Sequence, residues 1–174
     1  MNTWKHLRAI VILPGIVTIV IPATILYFTG LDTFVLWESY PATRIALAVL
    51  GSGLICLGLV LMVATIRLFV MVGKGTLAPW NPTQRLIVKG IYRHVRNPMI
   101  SGVLFILLGE ALLSASSPLF FWFMFALIVN AVYIPLVEEP GLVRRFGDEY
   151  LAYKRNVPRW IPRLTAWDGQ PASL

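Results

Sequence analysis

Residues 9–29 carry no charged side chain, and that 21-residue run constrains the fold more than any other feature of the sequence. A helix crosses ~30 Å of hydrocarbon with about 20 residues at ~1.5 Å each, so the run reads as a membrane span. Pro14 and Pro22 lie inside it, where a lipid-embedded helix accommodates them as kinks. Its length, and the lack of a small-residue cleavage site after it, argue against a signal peptide. Residues 45–72 form a second run, interrupted only by Arg67. Residues 99–113 form a shorter third run containing Glu110, and residues 118–137 a fourth, separated from it by the tight break Ser114-Ala-Ser-Ser117. Four spans are therefore expected in one domain covering 1–174. Gly51, Gly53 and Gly58 fall inside the second run, where small residues permit close helix packing rather than phosphate binding.

Charge tests the same reading independently. Thirteen of the 15 Lys and Arg residues fall in the N-terminus, in 73–98 or after residue 138, leaving Arg44 and Arg67 elsewhere. The positive-inside rule then places both termini and the middle connector in the cytoplasm. The net charge of +7 is largely explained by topology and anionic headgroups, so nucleic acid is not an expected partner. With 57% apolar and 13% charged residues and a mean hydropathy of +0.75, the chain is neither an ordinary soluble domain nor a disordered tail. A lone cysteine, Cys56, excludes an internal disulfide, and two histidines, His6 and His94, cannot make a histidine-rich metal site.

Two segments outside the spans carry the chemistry. The connector 73–98 is punctuated by Gly73, Gly75, Pro79, Pro82, Gly90 and Pro98, and Pro98 is placed to start the third helix. The segment 138–163 opens on Glu138-Glu139-Pro140. Leu142, Val143, Phe146, Tyr150 and Tyr153 then recur on one face of an amphipathic helix expected at the interface, with Trp160, Trp167, Arg159 and Arg163 extending an interfacial belt. A short hairpin brings the two segments together: cations and aromatics from one, adjacent carboxylates from the other. That combination suits a zwitterionic or multiply charged ligand. Within the third span Glu110 is expected to pair with Arg67, hydrogen-bond Asn130 or stay protonated.

The pattern Gly90-x-Tyr92-Arg93-x-x-Arg96-Asn97-Pro98, a hairpin, Glu138-Glu139, then Phe146-Gly-x-x-Tyr150-x-x-Tyr153-Lys and Val157-Pro158 resembles the isoprenylcysteine carboxyl methyltransferase family. Its superfamily includes the phospholipid N-methyltransferases. The likeness covers roughly 86–162. It implies an all-α integral membrane protein with four transmembrane helices, a C-terminal interfacial helix and a cytosolic pocket for S-adenosylmethionine. It implies cofactor contacts at Gln84, Leu86, Ile87, Tyr92, Asn97, Pro98, Met99, Ile100 and Glu138. The Glu138 carboxylate suits the cofactor's ammonium group. Glu139 is the nearby candidate base if the acceptor is an amine, or else a capping residue or a partner for Arg144. Arg93 is a candidate substrate or phosphate contact.

The implied activity is methyl transfer to a lipophilic or lipidated acceptor in the bilayer, at a carboxylate oxygen or an amine nitrogen. Asn97, Ile100 and Ile134 stand where the family often has His, Tyr and a substrate-facing Arg. A prenylcysteine carboxylate therefore needs Arg93, Arg96 or Arg155 as its clamp. The rival readings are an NADPH-dependent membrane reductase of the sterol-reductase type and a non-enzymatic lipid-binding protein.

Overall fold

The computed structural model describes residues 13–30, 41–72 and 86–169. All regular structure among them is helical. Helix α1 spans Leu13–Thr29, α2 Pro41–Val72, α3 Pro98–Ser114, α4 Ser117–Tyr133 and α5 Glu139–Asn156. Pro41–Leu68 and Ser117–Asn156 are long and apolar enough to cross a membrane, whereas α1 and α3 are shorter apolar helices. Only 11% of the apolar window in either long helix is buried. A core helix of a soluble protein would be mostly buried, so the low burial among the described residues fits helices that cross a membrane.

Helix α1 passes through a π turn at Ile16–Val20, where the Ile21 N–H reaches back to Ile16 O. The next donor in that register would be Pro22, which has none, so Val17 O lacks its helical partner. The indole Nε1–H of Trp122, on α4, donates to it at 3.2 Å. Thr18, buried on the same stretch, donates its hydroxyl to Pro14 O at 2.8 Å.

Helices α2 and α3 touch backbone to backbone. A Cβ on Gly58 would lie 2.5 Å from Gly102 O, and one on Gly109 would lie 2.6 Å from Gly51 O. The glycines are seven residues apart on both helices, so the contacts recur every two turns. Gly53 meets nothing within 4 Å and belongs to the other face. Beside this seam, Val103, Leu104 and Leu107 of α3 pack with Ala126 of α4, with Val17, Met62 and Trp122 around them.

The hairpin between α3 and α4 turns at Ala115, in the left-handed region at φ 54°, and Ser116 Oγ caps α4 by accepting from the Leu119 N–H at 3.4 Å. Glu110 Oε2 is buried without a hydrogen-bond partner among the described residues. Asn130 donates to Ala126 O instead of to Glu110.

Candidate functional site

Helix α4 does not stop at the end of its apolar run. It continues through a second π turn, Ile134–Glu138, directly into α5. Pro135 removes a helical donor at the start of the turn, and Pro140 removes the next donor after Glu139, so the wider ladder is confined between two prolines. The turn inserts one residue into the helix and resets the directions of Glu138 and Glu139.

The two carboxylates then meet opposite environments. Glu139 is 1% exposed. Its Oε1 accepts from Arg96 Nη1 at 2.8 Å and from Arg159 Nε at 2.7 Å, and Lys154 Nζ lies 2.8 Å from Oε2. Burial alone would raise its pKa. The hydrogen bonds from Arg159 and Lys154 and the charges of Arg96 and Arg159 overcome that and lower it to about 2. Arg144, the partner weighed from the sequence, is exposed and not among the three.

Glu138 is half-buried and has no hydrogen bond or ion pair among the described residues. Burial and the adjacent Glu139 charge push its carboxyl above the usual carboxylate range.

Arg96 ties the connector to everything beyond it. Its Nε donates to Val157 O at 2.8 Å, and its backbone N–H to Pro158 O at 2.9 Å. Further along, the Arg163 N–H donates to His94 O and the Trp167 N–H to Arg93 O, both at 3.0 Å, and Arg93 Nε donates to Trp167 O. The tail 157–167 is thus laced along 93–96. Glu139 is the counter-charge at the end of that lacing.

Tyr92 is buried beside Ile87, with Leu68 packed against both, and its phenol is pushed upward by burial and by the proximity of Tyr153 and Glu138. The Tyr153 hydroxyl donates to Tyr92 O at 2.7 Å, fixing the connector against α5.

The expected cofactor residues fall into separate surroundings. Tyr92 and Ile87 pack together, and Tyr92 lies close enough to Glu138 to feel its charge. Leu86 packs with Val88 against the Tyr150 and Tyr153 cluster. Pro98 is buried at the first turn of α3, as expected, with Asn97 before it and Met99 after it, both partly exposed. Ile100 packs into the α3–α4 core. Gln84 lies outside the described residues.

Two interfacial expectations are corrected. The apolar face of α5 is covered by protein, since Tyr150 and Tyr153 are each 3% exposed and pack with Val157, Trp167 and the connector. Trp167 is no belt residue, because its ring lies 5.8 Å from that of Tyr153 in the same cluster. Gly147, at φ 54° and ψ −131°, also kinks α5, which the helical spacing did not announce. Sequence reasoning missed Lys154 and Arg159 as partners of Glu139. Their only signal was a surplus of cations in a segment with a single buried acid.

A family model described as phospholipid methyltransferase matches residues 46–149, more than half of the chain. The chain belongs to the phospholipid methyltransferase family. It is an integral membrane protein of methyltransferase type, in agreement with the superfamily resemblance drawn from its motifs. The match runs from α2 through Glu138 and Glu139 into α5, so it contains both the glycine seam and the carboxylate pair. Comparison with curated proteins and with solved structures gave no match.

Proposed function

We propose that this chain transfers a methyl group from S-adenosylmethionine to an amine nitrogen on a lipophilic acceptor, at the cytosolic face of a four-span bundle. The observation that carries this reading is Glu138, a half-buried carboxylate without a partner among the described residues, beside a cluster whose three cations outnumber its one anion. An amino-acid zwitterion matches that field: its ammonium at Glu138 and its carboxylate toward the surplus of positive charge. When bound, S-adenosylmethionine would supply an electrophilic sulfonium methyl to the free-amine form of the acceptor, the ammonium proton having passed to cytosolic water before the acceptor docks. Tyr92, Asn97 and the first turn of α3 would flank the bound amino acid, while Leu86, Ile87 and Gln84 are carried over from the family resemblance as further contacts. Alignment of the two reactants and exclusion of water are what the chain contributes to the rate.

An amine is favoured over a carboxylate because Arg96, one of the expected clamps, holds Glu139 and Val157 O, and Arg93 is oriented by Trp167 O into a separate cleft. Ile134, at the position of the family's substrate-facing arginine, is 1% exposed. Glu139, held at about pKa 2 by its cations, positions Arg96 and the tail rather than accepting the amine proton. In this reading α1 and α3 also span the bilayer, since 17 residues give ~25 Å, at the lower end of what a span needs. The family match supports methyl transfer ahead of the reductase and lipid-binding alternatives.

The experiment is labelled methyl transfer by the purified chain in nanodiscs, offered phosphatidylethanolamine and a prenylcysteine carboxylate analogue. Label in the amine lipid alone is expected. Label in the carboxylate alone would overturn the acceptor, and label in neither would overturn the activity.

A further inference from the structure

A second polar feature lies apart from the carboxylates. A cleft of about 500 Å³ opens between the connector and the tail, lined by Gly90, Ile91, Arg93, His94, Pro162 and Ala166. None of the residues expected to hold the cofactor lines it, and the lining includes two bases and no acid. Arg93 uses Nε on Trp167 O, which orients the guanidinium, and its two terminal amino groups have no partner among the described residues. His94 Nδ1 lies 2.8 Å from Arg163 O. A carbonyl only accepts, so Nδ1 carries the hydrogen and Nε2 is left as an acceptor, suited to a hydroxyl of a lipid headgroup. Two side chains are thus pre-oriented by backbone carbonyls of the tail, the Arg93 guanidinium as donor to an oxyanion and His94 Nε2 as acceptor from a hydroxyl beside it.

The tail also says which oxyanion. Ile161 and Leu164 flank Pro162 and are 78% and 98% exposed. Apolar side chains standing free on either side of a cationic cleft, in a chain anchored in a membrane, match a ligand with a phosphate and acyl chains. We propose that this cleft binds the phosphate of an anionic phospholipid, with Ile161 and Leu164 entering the acyl region beside it. The site is separate from the methyl-transfer pocket and does not depend on that activity.

Native mass spectrometry of the purified chain in neutral detergent tests the site, with added phosphatidylglycerol or phosphatidylcholine of identical chains. With each engaged cation worth about fivefold near a membrane surface, phosphatidylglycerol is expected to bind at least about fivefold more tightly. Arg93→Gln should remove most of that preference. Should Arg93→Gln loosen Trp167 and lower Tm, His94→Gln decides instead, because its amide still donates to Arg163 O while the ring Nε2 is gone. The double variant Ile161→Ser/Leu164→Ser changes only exposed side chains, and should weaken both lipids while preserving their ratio. Equal binding of the two lipids by the wild-type chain, or an unchanged preference in both Arg93→Gln and His94→Gln, would overturn the site. Displacement of phosphatidylglycerol by equimolar glycerol phosphate, with the double serine variant binding normally, would show a soluble phosphate site and overturn the lipid.

Discussion

Replacing Glu139 with glutamine keeps the shape of the side chain and removes its charge from the centre of three cations. The folded carboxyl titrates at about 2 against an ordinary 4.5. At about 1.4 kcal/mol per unit, that difference corresponds to about 3 kcal/mol of folded-state stabilisation. Lys154 and Arg159 are 42% and 25% exposed, and solvent screening reduces their share to leave about 2 kcal/mol. The variant also leaves Arg96, 9% exposed, facing two other cations without a counter-charge, which brings the expected cost to about 3 kcal/mol.

The folded pKa is depressed, so this stabilisation is fully present above about pH 4.5 and is lost as pH falls toward about 2. Thermal unfolding in detergent, followed by tryptophan fluorescence from pH 7 to pH 2, reads both effects. Glu139→Gln should lower Tm by several degrees at pH 7, and its deficit against wild type should shrink across that acid window. Glu138→Gln provides the contrast. Its carboxyl is pushed upward, so its charge opposes folding, and Tm should hold or rise. Equal Tm losses in the two variants, or a Glu139→Gln deficit that does not change with pH, would refute the anchor.

Other consequences follow from the packing. Gly58→Ala places a methyl group 2.5 Å from the Gly102 carbonyl and should cost about 2 kcal/mol, whereas Gly53→Ala, facing open space, should be neutral or slightly stabilising; paired Tm measurements check both. Trp122→Phe strands Val17 O and should cost about 1 kcal/mol, less in a Pro22→Ala background where a backbone donor returns; a double-mutant cycle reads the difference. Tyr153→Phe removes the 2.7 Å bond to Tyr92 O and should slow methyl transfer through a looser connector, with Tm falling by only a few degrees.

Much of this architecture was legible in the residues because it depends on periodicity and composition. The long apolar runs located the four apolar helices. Gly51 and Gly58 marked close helix packing, and Pro98 marked the start of α3. The pairing of Glu139 was not legible, because its partners lie 43, 15 and 20 residues away and no local pattern links them. Read from sequence, Glu138 matches the cofactor's ammonium group and Glu139 is left as base, cap or partner of Arg144. The π turn between Pro135 and Pro140 separates them, giving one to the scaffold and leaving the other open. The burial of Trp167 and Tyr153 was hidden for a related reason, since an amphipathic face looks the same whether lipid or another segment of the chain covers it.

Titration of the purified chain with S-adenosylmethionine and S-adenosylhomocysteine, compared with Glu138→Gln, tests the central claim most directly. Loss of one charge-assisted contact to the ammonium should weaken both ligands by about tenfold or more. Wild-type affinity should also fall on acidification, beginning above the ordinary carboxylate range because Glu138 is pushed upward, while the variant should lack that dependence. Equal affinity in wild type and Glu138→Gln, or no binding to the wild-type chain, would contradict the account.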